Sequence, residues 1–174
     1  AKRYRENSQD VFKELRGAIY RRNNEIIVNE PRGRISDLDA LPHPAYHLLP
    51  KLELYLTRAR KKPAVSIITS RGCPFECIYC NKNIFGNRVT FLSTEKVIGL
   101  IDMLVRKFGA KQIDIYDDNF TADKKRVIRI LDKIIENKYN LAINLQTGVR
   151  ADSMDRELIF KMKKGGVFKI GFGV

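Results

Sequence analysis

From position 63 onward, short β-rich runs alternate with apolar residues at helical spacing. Ala64 to Thr69 reads as a buried strand of the parallel type. Ser93 is placed to cap a helix with Val97, Leu100, Ile101, Leu104, Val105 and Phe108 on one face, and Gly109 ends it. Gln112 to Tyr116 is a second strand, followed by a helix that Thr121 is expected to cap, with Val127, Ile130, Leu131 and Ile134 inward. Leu141 to Leu145 is a third strand. Ser153 begins a third helix, Gly165 and Gly166 stop it, and a fourth strand starts at Val167. This order predicts an α/β fold with a parallel sheet, which either curls into a barrel or lies open and doubly wound.

The first sixty-two residues have a different texture. Val11 to Ile19 is expected to close a helix. A hairpin follows, turning at Asn23 and Asn24 and returning through Ile26 to Val28. Prolines at 31, 42, 44 and 50 prevent a long regular element, so residues 1–62 read as a connector and 63–174 as a domain.

Composition adds bounds. Of 174 residues, 44% are hydrophobic and 30% charged, enough apolar material for a packed core. The net charge of +13 raises a nucleic-acid partner as a possibility. The excess is spread evenly, with 14 basic against 8 acidic side chains in 1–62 and 19 against 12 in 63–174. That spread argues against a nucleic-acid stripe and leaves a small-molecule substrate as the expected partner. No apolar run approaches the ~18 residues of a membrane helix, and no secretory signal opens the chain, so a cytoplasmic location is expected. The chain stops within an apolar run from Val167 to Val174, which predicts an excised piece with an unpaired strand edge.

All three cysteines lie directly after the first strand, as Cys73-x-x-x-Cys77-x-x-Cys80. A disulfide framework suits neither the odd count nor the expected compartment. Structural zinc needs a fourth ligand, for which only His43 or His47 in the proline-rich connector is near in sequence. An iron–sulfur cluster held by three thiolates would keep one iron open for chemistry. Reactive groups of βα folds gather at the C-terminal ends of the strands. The cysteine loop, Asp117 to Asn119, and Gln146, Thr147 and Arg150 all fall there.

The spacing, with Tyr79 before the last cysteine, resembles the signature of the radical S-adenosylmethionine superfamily. The longer string from Ile67 to Cys77 and the connector from Arg34 to Pro44 are similar to the cobalamin-associated subgroup, which includes the anaerobic magnesium-protoporphyrin monomethyl ester cyclases. The resemblance implies the first half of a partial (β/α)6 TIM-like barrel, preceded by a linker with a β-hairpin from an upstream cobalamin-binding domain. It also implies a 4Fe–4S cluster on Cys73, Cys77 and Cys80, S-adenosylmethionine at the open iron, cobalamin as a further cofactor, and an electron donor such as flavodoxin or ferredoxin. The activity implied is reductive cleavage of S-adenosylmethionine to a 5′-deoxyadenosyl radical, for hydrogen abstraction or cobalamin-assisted methyl transfer; the isolated piece is expected to be inactive. Asp117 and Asp118 stand where the superfamily often has Gly-Gly-Glu, so one of them is expected to hold the ammonium of S-adenosylmethionine, with helix capping as the plainer role. Arg150 is expected to grip the methionyl carboxylate, with a surface ion pair as the alternative. Tyr79 is expected against the adenine or the cluster, and Gly171 and Gly173 either near a ligand or in close strand packing. The competing readings are an RNA methylthiotransferase of the same superfamily and a non-catalytic metal- or iron–sulfur-binding protein.

Overall fold

A computed structural model describes residues 12–55, 59–81 and 84–173. The chain forms two units, residues 1–35 and 36–174.

In the first unit, strands β1 (Ile19–Arg22) and β2 (Glu25–Val28) pair antiparallel as expected. Asn23 and Asn24 both take positive φ, 45° and 69°, the conformation a two-residue turn needs if it is to follow the strand twist. The helix expected over Val11 to Ile19 does not form among the described residues. Phe12 to Gly17 make turns instead, tied down by Asn29, whose Nδ2 donates to the carbonyls of Phe12 and Leu15. Val11 itself lies outside the described residues.

The second unit is built on a four-stranded parallel sheet: β3 (Ala64–Ile67), β6 (Gln112–Ile115), β7 (Ala142–Val149) and β8 (Val167–Phe172), side by side in that order. Each strand lies beside the one before it in sequence. Crossovers of one hand that always step the same way put every helix on one face. Accordingly α1 (Thr94–Phe108) packs on α2 (Lys124–Glu136), and α2 on α3 (Arg156–Lys164). The sheet is therefore wound in one direction and has no doubly wound reversal.

The core lies between that helix layer and the apolar face of the sheet. Ile113, Ile143 and Leu145 meet Val97, Ile101, Leu104, Val127, Ile130 and Leu158, all at most 2% exposed. The short segments before β3 belong to this unit too, although their prolines read as connector. Leu38, Tyr46 and Leu52 are buried, and the Tyr46 hydroxyl donates to the Ser66 carbonyl at 3.2 Å.

Helix ends follow local chemistry with two shifts. Ser93 caps α1 by accepting from the Lys96 amide, and Gly109 closes it at φ 67°. Asp123 rather than Thr121 caps α2, because the Thr121 amide and hydroxyl are both bonded to Asn119 Oδ1 in a 3-10 turn. Asp155 rather than Ser153 caps α3, Ser153 being held in another 3-10 turn. The run expected as one strand to Thr69 is interrupted. β3 ends at Ile67, and Ser70–Arg71 forms a separate strand β4 paired antiparallel with β5 (Thr90–Phe91). β7 extends to Val149, past the expected Leu145, with register shifts against β8.

Candidate functional site

β4 and β5 form a clasp at the C-terminal edge of the sheet, and the segment between them carries the cysteines. Its base is held by two buried charges. The Asp117 carboxylate, wholly buried, accepts four hydrogen bonds: from the Thr69 amide (2.5 Å), the Thr69 hydroxyl (2.5 Å), the Ser70 amide (3.1 Å) and the Ser70 hydroxyl (2.8 Å). Arg126, reaching up from α2, donates to the carbonyls of Leu92 (3.0 Å) and Thr69 (2.9 Å), and its guanidinium lies 5.0 Å from the Phe91 ring centre. Burial pushes the Asp117 carboxyl above its ordinary range, against the pull of its hydrogen bonds and of Arg126. Burial also lowers Arg126, while Asp117 opposes that shift.

Past this base the chain opens. Gly72, at φ 91°, donates its amide to Asp118 Oδ2 at 2.7 Å. Cys73 and Cys77 are half-buried, Cys80 is exposed, and all three are free thiols. A turn, closed by the Cys80 amide on the Cys77 carbonyl at 3.0 Å, separates the last two. The three cysteines line one cleft of about 330 Å³ together with Tyr79, Asp118 and Arg150.

Five of the expected residues besides Asp118 are thus brought together, and Asp117 is not among them. Its oxygens are spent on the base of the loop. Asp118 keeps a carboxylate in the cleft. Arg150 stacks 4.3 Å from the Phe75 ring centre and sets Nη1 3.8 Å from Cys77 Sγ. It is also paired with Asp152 through Nε at 3.0 Å and through Nη2, and that pairing holds the guanidinium firmly protonated. Tyr79 is exposed at the tip, and Gly173 comes close to its hydroxyl. Gly171 serves strand packing: a Cβ on Gly148, whose φ is +93°, would meet the Gly171 carbonyl oxygen at 3.2 Å.

Asn119, which the sequence placed on the reactive face without a role of its own, lines the cleft at 3% exposure with Nδ2 buried and unpartnered, a donor in search of an acceptor. Two features escaped the sequence reading. Arg126, in the basic run Lys124-Lys125-Arg126, was given no role, yet it braces the loop. Finally, Ser66, Asp114, Asn144 and Lys169 stand in register across the four strands. They form a polar row on the face opposite the helices, where barrel interiors usually carry branched apolar residues. Asn144 Oδ1 there is buried and unpartnered. The signal was visible in the polar–apolar alternation of these strands.

Among the described residues, no three of His, Cys, Asp and Glu converge closely enough to hold a single metal ion. Three cysteine sulfurs around one cleft walled by Phe75 and Phe85 instead suit a soft, multi-iron body, for which cysteine is the usual ligand. The donor set and the orphaned amide of Asn119 fit such a group with a polar co-ligand beside it. No helix among the described residues is long and apolar enough to cross a membrane.

A one-way parallel α/β sheet carrying a three-thiol loop at its C-terminal edge defines the class of site. Residues 67–174 match the model of the radical SAM superfamily, and the chain belongs to that superfamily of enzymes. It is 34% identical over 164 residues to an uncharacterized methyltransferase of Pyrococcus horikoshii, covering 94% of this chain and 35% of the relative. It is 30% identical over 171 residues to the anaerobic magnesium-protoporphyrin IX monomethyl ester cyclase of Synechocystis, covering 97% and 33%. The second relative is of the group that the cysteine string resembles. The chain spans about a third of the length of these two relatives. In fold it is similar to the radical S-adenosylmethionine methyltransferase TsrM of Kitasatospora setae, solved with tryptophan and a SAM analogue, with a TM-score of 0.62 at 15% identity over 97% of this chain and 33% of that one. A second structure of TsrM, with cobalamin and a [4Fe-4S] cluster bound, gives 0.54 at 18% identity over 62% and 21%.

Proposed function

We propose that Cys73, Cys77 and Cys80 hold a 4Fe–4S cluster and that the same cleft binds S-adenosylmethionine, within an enzyme that transfers a methyl group or abstracts hydrogen from a small-molecule substrate. The observation that carries this reading is the gathering of three free thiols, Asp118, Arg150 and the unpartnered amide of Asn119 around one cleft. When bound, the cluster supplies the electron that splits the sulfonium to methionine and a 5′-deoxyadenosyl radical. The chain's own part is to position. Asp118 accepts from the ammonium with the oxygen that Gly72 leaves available, Asn119 Nδ2 donates to an acceptor of the nucleotide, and Tyr79 covers the ligand from the tip. Arg150, fixed by Asp152 and Phe75, presents its remaining N–H groups to the methionyl carboxylate and keeps a cation beside Cys77.

In this reading residues 63–174 are the first half of a partial (β/α)6 barrel, its interior lined by the polar row. Residues 1–62 lead in from a cobalamin-binding domain, and a flavodoxin or ferredoxin supplies electrons. The named activities of the relatives and the cofactors of the structural neighbour support methyl transfer as the commoner outcome. Anaerobic reconstitution of the protein tests the reading. About four irons per chain are expected, with a spectral shift on adding S-adenosylmethionine. Zinc retained on the thiols with no iron uptake would overturn it.

A further inference from the structure

Asp123 caps α2, so the Thr121 hydroxyl is left for another use. That use is Asn119. Thr121 lies buried in the 3-10 turn Phe120–Ala122, and both its amide (3.0 Å) and its hydroxyl (2.9 Å) donate to Asn119 Oδ1. On its other side the Thr121 hydroxyl oxygen stands 2.7 Å from that of Ser153, and the Ser153 hydroxyl donates to the Arg150 carbonyl, also at 2.7 Å. A seam of two hydroxyls therefore joins the turn that carries Asn119 to the turn that follows Arg150.

A carboxamide can be turned end for end with almost no change of shape, yet its two ends read opposite ligands. Nδ2 takes an acceptor and Oδ1 takes a donor. The partner of the inner end decides which faces out. The Thr121 amide has only a hydrogen to give, and the Thr121 hydroxyl adds a second. Oδ1 is thus claimed, and Nδ2, buried and unpartnered, is the end left for the cleft that Asn119 lines. Thr121 is not among the residues lining that cleft, so it acts through its neighbour.

Counting hydrogens ranks the two hydroxyls. Neither Asn119 Oδ1 nor the Arg150 carbonyl carries a hydrogen, so Thr121 and Ser153 are the donors in those two bonds. The contact between the hydroxyls is then left without one. With its own hydrogen on Arg150, Ser153 can only compete for that of Thr121.

We propose that Thr121 is a positioning residue: its hydroxyl fixes Asn119 with the donor end outward, so that the site selects a ligand atom that accepts a hydrogen bond. The assignment rests on the reading of the cleft as the S-adenosylmethionine site, and it adds the group that sets the sense of one contact there.

Two measurements test it, and one needs no cluster. In the metal-free protein the side-chain amide signals of Asn119 in a proton–nitrogen correlation spectrum are assigned by their loss in Asn119→Ser. They should move in Thr121→Val, which removes the hydroxyl and keeps the shape, and stay in place in Ser153→Ala. In the reconstituted protein Thr121→Val should weaken S-adenosylmethionine about fivefold in the spectral titration, the worth of one net hydrogen bond, with iron uptake as in the parent. Thr121→Ser should restore the affinity to within about twofold of the parent, and Ser153→Ala should leave it within the same margin. In the Asn119→Ser background Thr121→Val should cost nothing further, because it acts through the side chain already removed. Unmoved Asn119 signals in Thr121→Val would overturn the assignment. So would a loss of affinity in Ser153→Ala as large as that in Thr121→Val, which would make the seam a matter of packing. A parent protein that takes up no iron, or takes it up and ignores S-adenosylmethionine, would overturn the reading of the cleft instead, and the amide signals would still decide on Thr121.

Discussion

The base and the tip of the cysteine loop are built on opposite principles. At the base, Thr69 and Ser70 are fully buried, and every polar group that Asp117 can satisfy there is satisfied. At the tip, Ile78, Tyr79 and Cys80 lie in solvent. The base spends two buried charges on holding still. The tip leaves its thiols unspent for a ligand. Rigidity next to openness is what a site needs when a group is to be inserted into a fixed place.

The largest expected effect falls at the base. Asp117→Leu leaves four donors and Arg126 buried without their partner, and should cost about 3–5 kcal/mol in chemical denaturation. Arg126→Met should cost less, because it strands one carboxylate that keeps its hydrogen bonds. The double variant should recover part of the sum, since the pair shares one desolvated environment. Strict additivity would show that Asp117 and Arg126 brace the loop independently.

The tip should behave in the reverse way. Cys73→Ser, Cys77→Ser or Cys80→Ser is expected to abolish iron uptake on reconstitution while shifting the stability of the metal-free protein by no more than about 0.5 kcal/mol. A large loss of stability in these variants would show that the thiols are packing residues, and would erase the contrast.

Arg150 sits at the border between the two regimes, anchored by Asp152 yet facing the cleft. Arg150→Lys keeps the charge and loses the fork. We expect it to take up iron normally and to bind S-adenosylmethionine about tenfold more weakly, read from the spectral titration. Unchanged affinity would confine Arg150 to Asp152, Phe75 and Cys77.

Much of this contrast was legible beforehand, and the rest was hidden for physical reasons. Apolar spacing located all three helices and all four parallel strands, because their faces are set by burial. The cysteine spacing pointed to one site, since three thiols within eight residues have few other uses. What escaped depends on long-range pairing. Asp117 and Asp118 are adjacent in sequence, and the loop that leaves β6 at Ile115 turns one into the protein and the other into the cleft. Only the position of Thr69 and Ser70, nearly fifty residues earlier, decides which. Arg126 was half legible: it stands four residues before Ile130 and eight before Ile134, on the apolar face, unlike Lys124, Lys125 and Arg129, but only the distant carbonyls of Thr69 and Leu92 say what it does there.

The smallest effect is also the sharpest test of the base. Burial raises the Asp117 carboxyl above 3.8, so between that value and its folded pKa the native state holds a proton that the unfolded chain has lost. Stability linked to this group is therefore greatest at low pH and declines as pH rises through the folded pKa. Asp39 and Asp155 run the other way. Hydrogen bonds from Ser93 to Asp39, and Lys124 with the Leu158 amide at Asp155, hold both carboxyls below the ordinary range. Their contributions are lost only as pH falls, and they are common to parent and variant. Subtracting the stability of Asp117→Asn from that of the parent across the acid range isolates the one group. The parent's advantage should shrink as pH rises from the unfolded toward the folded pKa and then level off, and the pH at which it levels off reads the folded pKa. An advantage that grows with pH would mean that Arg126 and the four donors outweigh desolvation, and that the base of the loop is held by an ionised carboxylate at every pH where the protein folds.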